Sequence, residues 1–156
     1  DCKNSNIQEA KEIIRVLDII IRKMKDWDQK ITIAILPFYR KQERNIFDEL
    51  SKYLSTHWNK SIPSKHRNTI GNIEIVLFTV DRFQGYEADI TLHSMCRNSS
   101  GVGFMNVPNR INVAFSRAKS YRIIIGDRDY YDKQKKHTHL RQMISYSTVY
   151  EEGALK

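Results

Sequence analysis

Two short polar stretches hold the residue types in this sequence that could do chemistry. The first runs from Thr79 to Asp89, between two apolar runs, and contains a glutamine, a glycine and three carboxylates. Glu87 is an acceptor suited to a ribose hydroxyl, Gln84 can both donate and accept, and Gly85 lets backbone approach a ligand closely. Polar segments at the carboxyl ends of parallel strands commonly bind ligands. The stretch is therefore a candidate ligand loop, and an ordinary polar connection is the alternative.

The second stretch, Pro108 to Lys119, is predicted to be helical and to carry two arginines on one side. Arg110 and Arg117 are seven positions apart, so they would share a helix face. A guanidinium is always charged and offers a planar fork to phosphate oxygens. The pair therefore indicates a phosphate site, with solvated arginines on a surface helix as the alternative.

Apolar periodicity predicts the helices. Apolar residues recur at helical spacing from Gln8 to Lys25, with Asn6 as the N-cap and Glu9 three residues later, as in a capping box. A second amphipathic helix includes Ile46 to Leu54, and a last one is predicted from Lys133 to Ser145.

Four apolar, β-branched runs are predicted to be buried strands: Ile31–Leu36, Ile73–Phe78, Ile90–Met95 and Tyr121–Gly126. The polar residues from His57 to Asn72 are predicted to form a loop. Strands that alternate with helices indicate an α/β domain with a mainly parallel sheet covered on both faces.

Composition and charge restrict the class of protein. With 156 residues, 40% of them hydrophobic and 28% charged, the chain can bury one sizeable core, and disordered, collagen-like and coiled-coil classes are excluded. No apolar run approaches the roughly 20 residues that span a bilayer. Twenty-six basic and eighteen acidic residues give a net charge of +8, which favours a polyanion such as nucleic acid or an anionic membrane surface.

The two cysteines, Cys2 and Cys96, are far apart in the sequence. They suggest reduced intracellular thiols rather than a disulfide scaffold, so we expect an intracellular protein. The chain begins at Asp1 without a methionine, and we expect it to have been cut from a longer chain. Residues 1–156 are expected to form a single domain.

Together, the polar stretches resemble sequence motifs of superfamily 1 helicases. Val80–Asp89 is similar to motif V and Asn109–Lys119 to motif VI, in the form found in the senataxin and nonsense-mediated-decay branch. The patterns of that branch are V-D-x-F-Q-G-x-E-x-D and R-x-N-V-A-x-[ST]-R-A-[KR]. Three further segments match it in order: Ser5–Ala10, Ile33–Gln42 as motif IV, and Gly103–Asn106 as the lead-in to motif VI.

The resemblance implies a fold and a place in a larger enzyme. The fold would be a RecA-like, three-layer α/β/α domain, built like a P-loop NTPase but without the P-loop, and forming the second lobe of an ATP-driven motor. In such helicases ATP and Mg²⁺ lie between two lobes, so the N-terminal lobe of the same chain is an expected partner. By motif position, Arg117 resembles the arginine finger, which stabilises charge on the transferred phosphoryl group and is worth ~10³–10⁵ in rate.

The resemblance also implies roles for the other polar residues of the two stretches. Glu87 is expected to hold the ribose, with Gln84 and Gly85 coupling the nucleotide to the nucleic-acid site. Arg110 is expected either to contact phosphate or to pair with Asp81 or Asp89.

Single-stranded nucleic acid would cross both lobes, by the same resemblance, with 5′-to-3′ translocation. Thr79 and Tyr39 are the candidates for strand contacts. Motif IV has the order Leu-Pro-Phe-Tyr-Arg where T-P-Y-R is common, so Pro37 is displaced by one position. Contacts to phosphate are alike for DNA and RNA, and the sequence does not choose between them.

The sequence lacks the P-loop pattern G-x-x-x-x-G-K-[ST], whose backbone amides and hydroxyl hold phosphates and Mg²⁺. Its six glycines are at positions 71, 85, 101, 103, 126 and 153, and none begins that pattern. A Walker B carboxylate pair is also missing. We therefore expect half of a catalytic site and no ATP hydrolysis by this chain alone.

Two other functions fit parts of the same sequence. A nuclease could bind Mg²⁺ through Asp81, Glu87 and Asp89, although no matching lysine or histidine base is evident nearby. A non-catalytic module that binds nucleic acid or protein could keep the fold and lack the motor. Since the helicase resemblance accounts for the same carboxylates, no metal site is expected.

Overall fold

The computed structural model of the chain describes residues 4–60, 63–97, 101–133 and 138–148. Its strands are β1 (Ile31–Pro37), β2 (Arg67–Ile70), β3 (Ile73–Leu77), β4 (Ala88–Ser94) and β5 (Ala118–Ile125). Its α-helices are α1 (Ile7–Met24), α2 (Arg40–Trp58), α3 (Pro108–Phe115), α4 (Arg128–Asp132) and α5 (Thr138–Ser145). Short 3₁₀ turns lie at Val80–Phe83 and Gly103–Asn106.

The strands form one sheet in the order β2-β3-β1-β4-β5. β1 lies parallel to β3 on one side and to β4 on the other, so that Ile33 is opposite both Ile75 and Ile90. β5 joins parallel to β4, whereas β2 runs antiparallel to β3. This mainly parallel sheet is that of a RecA-like α/β domain, and the predicted fold class is confirmed.

Alternating side chains along β1 divide the core into two layers. Ile33 and Ile35 belong to a buried cluster that contains residues of α1 and α2. Ala34 and Leu36 belong to a second cluster, with residues of α3, α4 and α5. Helices therefore cover both faces of the sheet, and each large aliphatic side chain buried between the layers contributes about 1.5–3 kcal/mol.

Helix α1 begins at the predicted asparagine cap. The Asn6 side-chain oxygen accepts the Glu9 N–H at 3.1 Å, which satisfies one amide that a helix start leaves unpaired. In a capping box the Glu9 side chain would accept the Asn6 N–H in return. Here that N–H donates to Gln42 Oε1 instead, at 2.7 Å. The Glu9 carboxylate is thus released from capping and reaches the end of β4.

The helix predicted from Pro108 to Lys119 is shorter than predicted. It ends at Phe115, since the chain turns there and enters β5 at Ala118. Arg117 lies in the connection between the two elements. The prediction that it shares a helix face with Arg110 is therefore wrong.

The predicted loop from His57 to Asn72 contains a strand. β2 pairs with β3, and its side chains alternate between exposed and buried, so polar residues on the outer face hid the strand pattern. The helix predicted from Lys133 to Ser145 begins at Thr138 in the structure. Residues 134–137 and Cys2 lie outside the described residues. Within the described ranges, no helix has the length and apolar character needed to cross a membrane.

Candidate functional site

The first polar stretch forms the connection between β3 and β4, which runs back along the sheet. β3 ends at Leu77, near the carboxyl edge of the parallel strands, whereas β4 starts at Ala88, near their amino edge. Thr79 therefore lies near the carboxyl edge, and Glu87 lies near the opposite one. The candidate ligand groups are spread between both edges instead of gathering at the carboxyl edge.

The turn with Gln84, Gly85 and Glu87 is exposed. It follows the 3₁₀ turn, which is anchored by the buried side chains of Val80 and Phe83. Gly85 has φ +88°, and a Cβ built there would meet no atom within 4 Å. Its backbone conformation therefore favours glycine, and the space beside it is open to a ligand.

The first residues of β4 and β5 join the two polar stretches. The Ala88 N–H donates to the Arg117 carbonyl at 3.0 Å, and Ala88 is opposite Ala118 in the parallel register. Glu87 and Arg117 thus stand immediately before two paired strands, at one edge of the sheet. The register shifts between Ala88 and Ile90, an irregularity of the kind that re-aims side chains beside sites.

The Arg117 guanidinium rests on its own turn. Its Nε donates to the Val113 carbonyl at 3.0 Å and its Nη2 to Ser116 Oγ at 3.1 Å. Both acceptors are neutral, and such bonds contribute about 0.5–1.5 kcal/mol each. Because a phosphate oxygen accepts a stronger, charge-assisted bond, the partly exposed guanidinium can exchange these partners for an anion.

Arg110 connects α3 to the 3₁₀ turn. Its Nη2 donates to Asp81 Oδ2 at 2.6 Å. Of the two carboxylates expected as partners, Asp81 is the one observed, since Asp89 Oδ2 accepts the Thr32 N–H at 2.8 Å. A phosphate contact by Arg110 would have to compete with Asp81 and stays a prediction.

Both candidates for strand contacts are buried. Tyr39 and Thr79 are 6% and 5% exposed. The Tyr39 hydroxyl lies 3.5 Å from the Val102 carbonyl oxygen and 3.4 Å from Arg97 Nη1. The Thr79 carbonyl accepts the Arg82 N–H at 3.0 Å. In this structure both residues position loops, and their contact with nucleic acid stays a prediction.

Comparison with known proteins identifies the family. A family model described as an AAA domain matches residues 2–129. Helicase sen1 of Schizosaccharomyces pombe is 32% identical over 124 residues, which are 78% of this chain. The "Regulator of nonsense transcripts 1 homolog" of Drosophila melanogaster is 42% identical over 84 residues, or 53% of this chain. The chain belongs to the senataxin and nonsense-mediated-decay branch of superfamily 1 helicases.

A further helicase of this branch, SEN1 of Saccharomyces cerevisiae, is 33% identical over 129 residues and is likewise matched by 78% of this chain. The matches cover 5% to 7% of the length of these three relatives. The chain is therefore similar to one small part of each of these proteins.

Two of the three carboxylates of the helicase motif V have partners within the chain. Asp81 is paired with Arg110, and Asp89 with a backbone amide. In the described ranges, no three His, Cys, Asp or Glu side chains form a group that could hold a metal. The nuclease alternative thus lacks an ion site among those residues.

A buried polar network that was not predicted from the sequence lies at the carboxyl end of β4 in this helicase domain. Glu9 Oε1 accepts from Ser94 Oγ at 2.5 Å and from the Cys96 N–H at 2.7 Å, and Gln42 Nε2 donates to Ser94 Oγ at 3.0 Å. Desolvation by burial raises the pKa of Glu9 to about 7, although its hydrogen bonds act in the opposite direction. The available signal was that Glu9 and Gln42 both lie in segments that match the family motifs.

Proposed function

We propose that the chain is the C-terminal RecA-like lobe of an ATP-dependent helicase and supplies its arginine finger. The observation that carries this proposal is the hydrogen bond from the Ala88 N–H to the Arg117 carbonyl. Through that bond, the candidate ribose carboxylate of Glu87 and the candidate finger belong to one edge of the sheet. An N-terminal lobe facing this edge would complete the nucleotide site.

The residues at this edge suit a nucleotide. Glu87 has an exposed carboxylate that can accept bonds from ribose hydroxyls, Gln84 is exposed beside it, and the space at Gly85 is open. Because the sequence has no P-loop pattern, the phosphates and Mg²⁺ would be held mainly by the other lobe. Bound ATP with Mg²⁺ supplies the phosphoryl group that is transferred to water.

In that complex, Arg117 would leave the Val113 carbonyl and Ser116 Oγ and donate to phosphate oxygens. Its fixed charge would stabilise the charge that develops during phosphoryl transfer. Arg110 would either follow as a second contact or keep the 3₁₀ turn in place through Asp81.

The proposed track is single-stranded DNA or RNA, with 5′-to-3′ movement as in the family that the motifs resemble. The net charge of +8 supports a polyanionic track through counterion release. Thr79 and Tyr39 border the carboxyl edge of the sheet, and both would have to become exposed before they could contact the strand. An intracellular location goes with this proposal.

The test is ATP hydrolysis by the full-length parent protein, with and without single-stranded DNA or RNA. We expect strand-stimulated turnover that falls about 10³-fold or more in Arg117→Ala, while strand affinity changes far less. Arg128→Ala is a matched control, since Arg128 is a surface arginine paired with Asp132 on α4. Unchanged turnover in Arg117→Ala would refute the finger, and no turnover with any strand would favour the binding module.

The ribose role has its own test. Glu87→Ala in the parent should weaken nucleotide binding, whereas Glu74→Ala, which removes a carboxylate paired with Arg67 on the hairpin, should not. Equal nucleotide affinities in both variants would contradict the assignment. The 156-residue chain alone should not hydrolyse ATP. Arg117-dependent turnover by this chain would disprove the prediction that it holds only half of the catalytic site.

A further inference from the structure

Strand β5 lies at one side of the sheet, yet its sequence is that of an inner strand. Its apolar run, Ile123–Ile125, is of the kind found in strands that are covered on both faces. All three isoleucines are only half-buried, and the rest of the strand is mostly exposed, whereas β4 beside it is almost fully buried. Apolar strand edges that stay open are sites of aggregation. The outer edge of β5 is therefore a surface that a further segment would cover.

The backbone of β5 can bond to one more strand. In the order β2-β3-β1-β4-β5, no strand of the described residues lies beyond β5. The Ile125 carbonyl accepts the Met95 N–H at 3.0 Å, just after β4, and the backbone groups of successive residues in a strand alternate between its two sides. The N–H and C=O groups of Arg122 and Ile124 therefore point away from β4, towards the outer edge.

A groove runs along this edge between helices from the two faces of the sheet. It is lined by Val16 of α1 on one face, and by Ile144 of α5 and the exposed Tyr146 on the other. Its volume of about 990 Å³ is at the upper end of the range for ligand clefts. Two of its charged residues, Glu12 and Arg15, pair with each other at 2.6 Å. The groove is thus suited to an extended, mostly apolar chain segment.

The path of the chain indicates which segment this is. β4 leads to β5 through α3, and such a connection between parallel strands is right-handed in about 98% of cases. α1 lies on the opposite face of the sheet from α3, where a right-handed connection crosses the strand order in the other direction. A parallel strand that leads through α1 into β1 must therefore lie on the β4 side of β1. Since β4 and β5 fill the nearer positions, the next position is the outer edge of β5.

Helix α1 begins beside this position. Its residues Gln8 and Glu12 line the groove together with Asn6, and the helix packs against β4 and β5. Ser5, just before the helix, is 2% exposed, so the chain reaches α1 through the interior. The helix starts at the carboxyl edge of the sheet, where Glu9 bonds to the end of β4. A strand that leads into α1 would therefore run parallel to β5.

We propose that the segment of the parent protein directly before α1 forms a sixth strand, which pairs with the outer edge of β5 and completes the sheet. The inference rests on the proposed function, in which this chain is one lobe of a much longer protein, and the matches cover only 5% to 7% of three relatives. A second copy of the chain is less suited, because each copy carries a net charge of +8.

The proposed strand has a defined character and starting point. Because it would be buried between α1 and α5, it should be a continuous apolar run. Running parallel to β5, it would start at the amino edge of the sheet, which carries Arg117. The connection from the N-terminal lobe would thus enter beside the proposed nucleotide site.

Hydrogen exchange of the Arg122 and Ile124 amides tests the pairing in three proteins. These are the 156-residue chain, the same chain extended only by the residues that precede it in the parent, and the full-length parent. Exchange should be at least about tenfold slower in both longer proteins, the factor that corresponds to one hydrogen bond of about 1.4 kcal/mol. The Thr69 amide points outward from β2 on the other side of the sheet, and it should exchange equally in all three.

Each other pattern of exchange overturns the inference. Equal rates for Arg122 and Ile124 in all three proteins would mean that the edge of β5 stays open. Slow exchange already in the 156-residue chain would mean that another part of this chain, or a second copy, occupies the edge. Slow exchange in the full-length parent alone would assign the edge to a different domain.

A proline variant tests the same hydrogen bond through stability. Ile124→Pro removes the outward N–H, and Ile124→Ala is the matched control for the lost side chain. In urea unfolding, the extra loss from proline over alanine should be greater in the extended chain than in the 156-residue chain, by about tenfold in the unfolding constant. An equal extra loss in both chains would contradict the pairing.

These measurements fail or succeed independently of the proposed function, since none of them involves a nucleotide or a nucleic acid. A protected edge in a parent without strand-stimulated ATP hydrolysis would refute the helicase proposal and leave the sixth strand in place. An unprotected edge in a parent whose turnover depends on Arg117 would refute the sixth strand alone.

Discussion

Glu9→Gln tests whether the buried carboxyl at the end of β4 makes the stability of this domain depend on pH. Glu9 is 6% exposed and accepts from Ser94 Oγ and the Cys96 N–H. A glutamine has nearly the same shape, and its amide oxygen can accept both bonds. The substitution therefore removes the titration and keeps the packing.

The sign and size follow from the pKa. Burial raises the pKa of Glu9 from 4.5 to about 7, so the folded state holds the proton more tightly than the unfolded state. Below about pH 4.5 Glu9 is protonated in both states, and its stabilising contribution to the free energy of unfolding is fully present. It is lost as pH rises towards 7. At about 1.4 kcal/mol for each pKa unit, the loss is about 3 kcal/mol.

Urea unfolding of the 156-residue chain at a series of pH values between 4.5 and about 8 measures this effect. Relative to the wild type, Glu9→Gln should gain about 3 kcal/mol across that range, and the gain should level off above pH 7. Glu12→Gln controls for the change in net charge, since Glu12 pairs with Arg15 at 2.6 Å on the surface of α1. A constant difference between the wild type and Glu9→Gln at all pH values would refute the reasoning.

Two further predictions concern packing and pairing around the site. Gly103→Ala should destabilise the domain by about 2 kcal/mol or more, because φ is +56° and a Cβ would overlap the buried Arg97 guanidinium and lie 2.7 Å from Tyr39 Oη. Gly101→Ala has open space and should lose only about 1 kcal/mol for its φ of +77°, so equal losses in urea would contradict the steric cause. The Asp81–Arg110 pair, with side chains 50% and 35% exposed, should show a coupling of about 0.2–1 kcal/mol in a double-mutant cycle of unfolding. A coupling well above that range would show that the pair is not screened by solvent.

The sheet could be predicted because its central strands are continuous apolar runs, and β1 starts at the predicted Ile31. The end of α3 could not, because Phe115 still fits a helical pattern and the strand after it is specified by pairing of Ala118 with Ala88 across the sheet. The chemistry of Glu9 was hidden for a similar reason. Its spacing from Asn6 matches a local capping box, and only the tertiary structure brings Gln42 to that role.

Strand β4 separates the buried network at Glu9 from the edge that carries Arg117. Its seven residues span roughly 20 Å at about 3.3 Å per residue, and two unit charges at that separation interact by less than about 1 kcal/mol at an effective dielectric constant of about 20. A charge on Glu9 therefore has little direct effect on the Arg117 guanidinium. It could act only by moving β4, which is paired with β1 on one side and β5 on the other. If the stability depends on pH but the turnover proposed to depend on Arg117 does not, β4 stays fixed when Glu9 titrates. If stability and turnover change together, β4 moves as a unit.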